Sequence, residues 1–350
     1  MHRTYLIEVD GGKKGGSGTI LRLSVALSAI TRQPLHIYNV RHNRPQPGLK
    51  PQHLEAVLTA AKLCNAELEG AKIDSREIWF KPREVEGGKI EAEIGTAGSI
   101  PMLLMTVLPI CAYAKSTVVL HISKGGTDVS NSPTINYMRF ILLPTLCRMG
   151  LEATLKVHKY GYYPRGNGEV TATVKPAQPL RPLHMERFGN IKAIKGVSVC
   201  TFLAERKVAE RQANAAKDYL REKGYSTEIK AVNDTSNPLQ KGSSMVMWAE
   251  TDTGTLLGAD SIGELKKTSE KVGEETAQKL YAEMAAKPTV DVHLADLLIP
   301  YVALAKGNSI YFTRAVSEHL ETNIWVTEQI LNVKFNVENV NGLHKVEKTE

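Results

Sequence analysis

A strand that runs into a glycine-rich turn and then into an apolar helix recurs along this chain, and that recurrence restricts the fold more than any other feature. Asp10-Gly11-Gly12-Lys13-Lys14-Gly15-Gly16-Ser17-Gly18-Thr19 closes one strand pattern and opens a helical one. Gly95-Thr96-Ala97-Gly98-Ser99 and Gly125-Gly126-Thr127-Asp128 do the same further along. Glycine lets backbone N–H groups approach an anion, and a helix N-terminus adds partial positive charge. A chain built from such turns is suited to holding phosphate groups, although tight turns without a ligand would read the same way. Neither GxxxxGK[ST] nor GxGxxG is present at the first turn, so the common nucleotide motifs do not apply.

Period-2 runs predict strands at Tyr5–Asp10, Pro34–Arg41, Glu77–Pro82, Lys89–Gly95, Thr117–Lys124 and Glu169–Pro176, then Asn190–Cys200, Ser226–Val232, Ser244–Thr251, Ser309–Arg314 and Lys334–Val340. Helical spacing predicts Gly18–Thr31, Pro51–Cys64, Gly98–Ala114, Pro133–Met149, Ala204–Lys223, Gly263–Ala286, Val292–Lys306 and His319–Leu331. Six of these form three pairs with similar spacing: 18–31 with 51–64, 98–114 with 133–149, and 292–306 with 319–331. The two helices between the second and third pairs are long and highly charged. Residues 185–284 therefore read as a smaller inserted α/β domain, and 1–184 with 285–350 as a large domain of three repeated α/β units. The mixed order of elements argues for α/β layers and against a doubly wound nucleotide fold.

The longest apolar stretch, Ile100 to Ala114, is too short to span a bilayer and contains Pro109. The N-terminus lacks a signal-peptide layout, so a cytoplasmic protein with no membrane partner is expected. Cys64, Cys111, Cys147 and Cys200 show no CxxC spacing and are expected as buried, reduced thiols. The formal charge of +7 favours a polyanionic partner such as nucleic acid, with a merely solvating basic surface as the alternative.

Four further segments offer chemistry. Arg41-His42-Asn43-Arg44-Pro45-Gln46-Pro47-Gly48-Leu49-Lys50-Pro51 holds its cationic side chains between three prolines, and Arg41 with Arg44 could clamp a phosphate. Asp128 could orient a basic group or hold a metal, or simply serve a helix-entry turn. Tyr160 to Val170 mixes aromatics, an arginine and glycines, as a hairpin or as a base-stacking loop. His319 falls in the first turn of a predicted helix, where the dipole favours a neutral, nucleophilic imidazole. Histidine can attack phosphorus, but on this evidence His319 is one of ten histidines, most of them structural.

Together these segments resemble the RNA 3'-terminal phosphate cyclase family along nearly the whole chain. The resemblance rests on the DGG…GG.G..LR opening, R..RP.PGL..QHL, GTAGS, GGTD, G.YPRG.GEV, LAD and HL.TN. It implies three repeated α/β units plus one inserted α/β domain. It implies an ATP-dependent enzyme, a ligase, that converts an RNA 3'-terminal phosphate to a 2',3'-cyclic phosphate through a covalent histidine–AMP. The nucleophile would be His319. Arg22, Arg41, Arg44 and Gln52 match positions that hold phosphates and the RNA end, with Lys14 beside them in the glycine turn. Pro133 would lie against adenine, with Asp296, His293 and Met105 also at the nucleotide. ATP and a divalent metal, magnesium or manganese, would be required; the resemblance leaves the metal-holding residues unknown.

The sequence also departs from the family pattern. A glutamate that helps hold the metal is usual in Gly-Glu-Gly-Gly, and Lys14 is read at that position. Two glutamines near the nucleotide are replaced by Met105 and Leu297. Lys14 could supply charge where a metal would sit, metal use could shift to another carboxylate, or ATP activation could be impaired. The alternative function is accordingly a catalytically impaired, cyclase-like RNA-binding protein acting in RNA or ribosome processing. A small-molecule transferase of a related fold is disfavoured by the specific motifs.

Overall fold

The computed structural model describes residues 5–349, and the fold is α/β with four sheets. In the first unit, β1 (Ile7–Asp10) and β2 (Leu35–Tyr38) run parallel, joined by α1 (Gly18–Thr31). Helix α2 (Pro51–Cys64) then leads to β3 (Glu67–Glu69) and β4 (Ile78–Lys81), giving the strand order β1-β2-β4-β3 with the last two pairings antiparallel. The second unit repeats this path. Strands β5 (Gly88–Glu93) and β6 (Val118–Gly125) are parallel across α3 (Ile100–Cys111). A second helical stretch follows, comprising α4 (Ile135–Tyr137), a π-turn over Met138–Leu142 and α5 (Leu143–Arg148). Strands β7 (Ala153–Lys159) and β8 (Gly168–Val174) complete the order β5-β6-β8-β7. The π-turn has a local cause: Leu143 N donates five residues back to Met138 O, and Pro144 supplies no N–H.

After β8 the chain reaches His184, which makes a lone parallel bridge with Ile310. It then forms a separate sheet from β9 (Ile191–Thr201), β10 (Glu228–Asp234), β11 (Gly242–Thr251) and β12 (Leu256–Ile262), in the order β10-β9-β11-β12. Helices α6 (Val208–Glu222) and α7 (Ser269–Ala286) pack on this sheet around a core that includes Ile194, Leu220, Met247, Leu257 and Leu280. The chain then returns through α8 (Val292–Leu304) to β13 (Ser309–Thr313), α9 (Glu318–Ile330), β14 (Lys334–Val340) and β15 (Leu343–Thr349), with the order β13-β15-β14. The His184 bridge beside β13 occupies the place of a first strand. The third unit thus follows the plan of the other two, with its opening strand reduced to one bridge and the separate sheet entered before its first helix.

The three units share one apolar core. Ile20, Leu27, Leu104, Leu142, Leu298 and Leu320, from five helical segments, belong to a single buried cluster. Burial on this scale supplies about 25 cal/mol per Å² of apolar surface removed from water, which fixes the helices against one another.

The Tyr160–Val170 segment is a hairpin connection, not an open stacking loop. Tyr162 is buried and accepts a hydrogen bond from Thr201 Oγ1, while Tyr163 points to solvent. Asn237 Nδ2 donates to Tyr160 O at 2.7 Å and Gly166 O at 3.0 Å, and a Cβ on Gly242 would stand 2.2 Å from the Tyr162 ring. The motif therefore joins the second unit to the separate sheet. Asp128 takes the helix-entry role: it is buried and accepts from Thr127 Oγ1 at 2.6 Å and Ile135 N at 3.3 Å. The four cysteines are free, but Cys147 is exposed, because its helix turns that face outward; only the other three are buried. Among the described residues no helix is long and apolar enough to cross a membrane.

Candidate active site

The N-terminal halves of five helical segments converge on one cavity of about 500 Å³. Helix α1 contributes Thr19 and Arg22, α3 Met102 and Met105, and the entry to α4 Pro133, Thr134 and Tyr137. Helix α8 contributes His293, Asp296 and Leu297, and α9 His319 and Asn323. The loop from Val129 to Ser132 adds to the wall, and the rest comes from the separate sheet and its flanks: Asp260, Ser261 and Ile262 of β12, Glu264 and Lys267 beyond it, and Lys279 of α7. The volume suits a small organic ligand, and the convergent N–H ends suit an anionic one.

Local capping sets each helix start. Ser17, Ser99, Thr134, Asp291 and Ser317 each accept a backbone N–H at the first turn of α1, α3, α4, α8 and α9. Asp291 ties several parts together. Its carboxylate accepts from His293 N and Leu294 N at 3.0 Å, from Tyr137 Oη at 2.7 Å and from Gly258 N at 2.8 Å. The α8 cap, the α4 helix and β12 are thereby held together beneath the cavity. Asp260 accepts from Thr134 N at 2.7 Å and joins the opposite wall to the Pro133 turn.

His319 sits at the rim. Its Nδ1 lies 3.4 Å from Thr19 Oγ1, and Arg22 Nη2 donates to the same hydroxyl at 3.3 Å. Partial burial, the Arg22 charge and then Arg44 and His293 push the imidazole below its ordinary range, while Glu318 opposes them. Arg22 is buried and pushed down to about 10 by that burial and by Arg41. His53, buried beneath Gly18, is pushed down to about 3 by burial and by Arg22, Arg41 and Lys50. Asp296 is pushed up to about 7 by burial, against a hydrogen bond of 2.6 Å from Ser317 Oγ. The Arg22 end of the cavity is thus cationic, and that charge with partial burial disfavours the charged form of the His319 imidazole.

The structure brings together six of the sequence-derived site residues in the cavity wall: Arg22, Met105, Pro133, His293, Asp296 and His319. Arg41, Arg44, Lys14 and Gln52 are not in that wall. Arg41 Nη1 donates to Gln46 O and Gly48 O, both at 2.8 Å, and so folds its own proline-rich loop, yet its charge reaches Arg22. Arg44 is exposed and acts on His319 through space. Gln52 Oε1 accepts from Ser99 N at 2.7 Å and steadies the α3 turn. Lys14 is exposed in the glycine turn. Sequence reasoning missed Thr19, Tyr137, Lys267, Lys279 and the β12 residues Asp260 to Ile262. Thr19 had a signal in its place at the head of the first glycine-opened helix; the others had none.

The RNA 3'-terminal phosphate cyclase family model matches residues 13–337 of this chain. The chain belongs to the RNA 3'-terminal phosphate cyclase family. Among curated relatives named RNA 3'-terminal phosphate cyclase, that of Pyrococcus furiosus is 44% identical over 332 residues, covering 95% of each chain. That of Pyrobaculum neutrophilum is 42% identical over 341 residues, covering 97% of each. That of Methanosarcina acetivorans is 42% identical, covering 97% of this chain and 99% of its own. The cyclase-family match thus reaches all three units, covers the separate sheet, and includes every wall of the cavity.

Proposed function

We propose that this protein is an ATP-dependent RNA 3'-terminal phosphate cyclase that works through a covalent histidine–AMP at His319. The observation that carries the reading is His319 at the mouth of a nucleotide-sized cavity, hydrogen-bonded through Nδ1 to a hydroxyl that also receives Arg22. Attack requires the tautomer in which Nδ1–H donates to Thr19 Oγ1, leaving the Nε2 lone pair free. In the first step Nε2 bonds to the α-phosphorus of ATP, and the bond to the bridging oxygen breaks to release pyrophosphate. In the second, an oxygen of the RNA 3'-phosphate takes the AMP from His319. In the third, the neighbouring 2'-hydroxyl attacks the activated phosphate, loses its proton, and expels AMP to leave the 2',3'-cyclic phosphate.

The chain's residues divide these tasks. Pro133, His293 and Met105 flank the base, and Asp296 lies on the nucleoside side. Arg22, buried and aimed at the His319 end, neutralises charge developing on the α-phosphate. Arg41, Arg44 and Lys14 extend the cationic surface toward the RNA end, and Gln52 acts through the α3 turn. We read residues 185–284 as an inserted unit whose β12 edge completes the nucleotide wall. The apolar Met105 and Leu297 make that floor less polar than glutamines would, while the nucleophile and its Arg22 neighbour are intact. This favours the enzyme over a binding-only relative.

The test is direct. Incubating the protein with ATP, magnesium or manganese and an RNA carrying a labelled 3'-phosphate should make the terminal label resistant to phosphatase. RNA that binds but keeps a phosphatase-sensitive end under every metal condition would support the binding-only reading instead.

A further inference from the structure

The space beside Gly15 is filled by a carboxylate from another helix. A Cβ built on Gly15 would stand 1.6 Å from Glu318 Oε1 and 2.7 Å from its Cδ. The Glu318 side chain therefore lies where a side chain at position 15 would begin, and only glycine there admits it. Among the described residues the Glu318 carboxylate has no ion pair or side-chain hydrogen bond, although Lys13 and Lys14 precede Gly15. Glu318 directly precedes His319 in the first turn of α9, and its charge acts on that ring.

We propose that Glu318 supplies the protein ligand for a divalent cation that enters with the ATP phosphates, in the gap between the glycine turn and His319. The proposal rests on the ATP reading above. The donor set fits such an ion. Magnesium and manganese bound with a nucleotide need only one or two carboxylates, the other positions being phosphate oxygens and water. Among the described residues no cluster of three or more histidine, cysteine or acidic side chains could cage a metal, so an ion here must be shared with the substrate. When bound, it would offset phosphate charge.

This also corrects the register of the glycine turn. With Gly-Glu-Gly-Gly set without a gap so that its last two positions fall on Gly16 and Ser17, the residue at the glutamate position is Gly15, not Lys14. The turn thus carries no side chain at the position where α9 delivers a carboxylate. The competing explanation is that Glu318 is only a first-turn acid that complements the α9 dipole.

Manganese titration of the full chain, read by electron paramagnetic resonance with α,β-methylene-ATP present, separates the two. Glu318→Gln should weaken manganese capture in the ternary complex by at least about tenfold, with little change in analogue binding without metal. The double variant Gly15→Glu with Glu318→Ala, which delivers the carboxylate from the turn instead, should recover most of that loss. Equal manganese affinity in wild type and Glu318→Gln overturns the proposal, as does failure of the wild type to bind the analogue. If manganese binding behaves as expected but wild-type His319 takes no AMP from ATP, the nucleophile assignment fails and the metal ligand stands.

Discussion

Ser317 Oγ donates to Asp296 Oδ1 at 2.6 Å and accepts from Leu320 N at 2.9 Å, so the cap of the helix carrying His319 is fastened to the α8 helix that lines the cavity. A second bond runs the same way, from Asn323 Nδ2 to Asp296 O at 2.8 Å. Position along α9 is therefore set by one residue of α8 that also faces the ligand space.

Replacing Ser317 by alanine removes the cap and leaves the buried Asp296 carboxyl without its donor. Stability should fall by about 0.5–2 kcal/mol, the usual range for a lost cap, measured by urea denaturation. Adenylylation should slow with little change in ATP affinity, because the nucleophile is displaced and the cavity is not. A variant with wild-type single-turnover rates would show that this link does not position His319.

Thr19 should matter through its hydroxyl alone. Thr19→Val keeps the shape but removes the acceptor shared by His319 and Arg22, and the adenylylation rate should drop by about one to two orders of magnitude. Thr19→Ser should retain most of the rate. Equal losses in both variants would point to packing in place of the hydrogen bond.

Asp128 gives a pH signature independent of catalysis. Burial pushes its carboxyl up to about 7, well above the ordinary value of 3.8 expected in the unfolded chain. The folded state therefore holds a proton that the unfolded state releases. The associated stability is fully present below pH 3.8 and is lost as pH rises through about 7, at up to about 1.4 kcal/mol per pH unit. Asp296, also pushed up to about 7, contributes in the same window. Asp128→Asn should flatten the decline between about pH 4 and 7 seen by urea denaturation; an unchanged slope would refute the assignment.

The repeated helices were legible because local chemistry marks both ends of each. Gly18–Thr31 and Pro51–Cys64 begin and end where the apolar spacing and the Ser17 cap or Pro51 place them. Helix α7 was expected from Gly263 but starts at Ser269, because Thr268 accepts from Lys271 N and caps it there. Strand β12 was not read: Leu256–Ile262 contains Gly258 and Asp260, which weaken a strand pattern. Both serve the tertiary structure, since a Cβ on Gly258 would stand 2.6 Å from Ile141 and Asp260 binds the Thr134 amide. Strand β7 was likewise missed, although Ala153, Leu155 and Val157 alternate there with Thr154, Lys156 and His158. The same reasoning applies to the site. Arg22 and His319 are marked by their places at helix starts, whereas Asp260, Lys267 and Lys279 reach the cavity only because a distant sheet docks there.

The most direct test of the account is the covalent step itself. Wild-type protein incubated with α-labelled ATP and magnesium or manganese should carry label that survives denaturation, and peptide mapping should place the AMP on His319. His319→Ala, folded as judged by its denaturation curve, should carry none. Label retained in His319→Ala, or mapped to any other residue, would contradict the account.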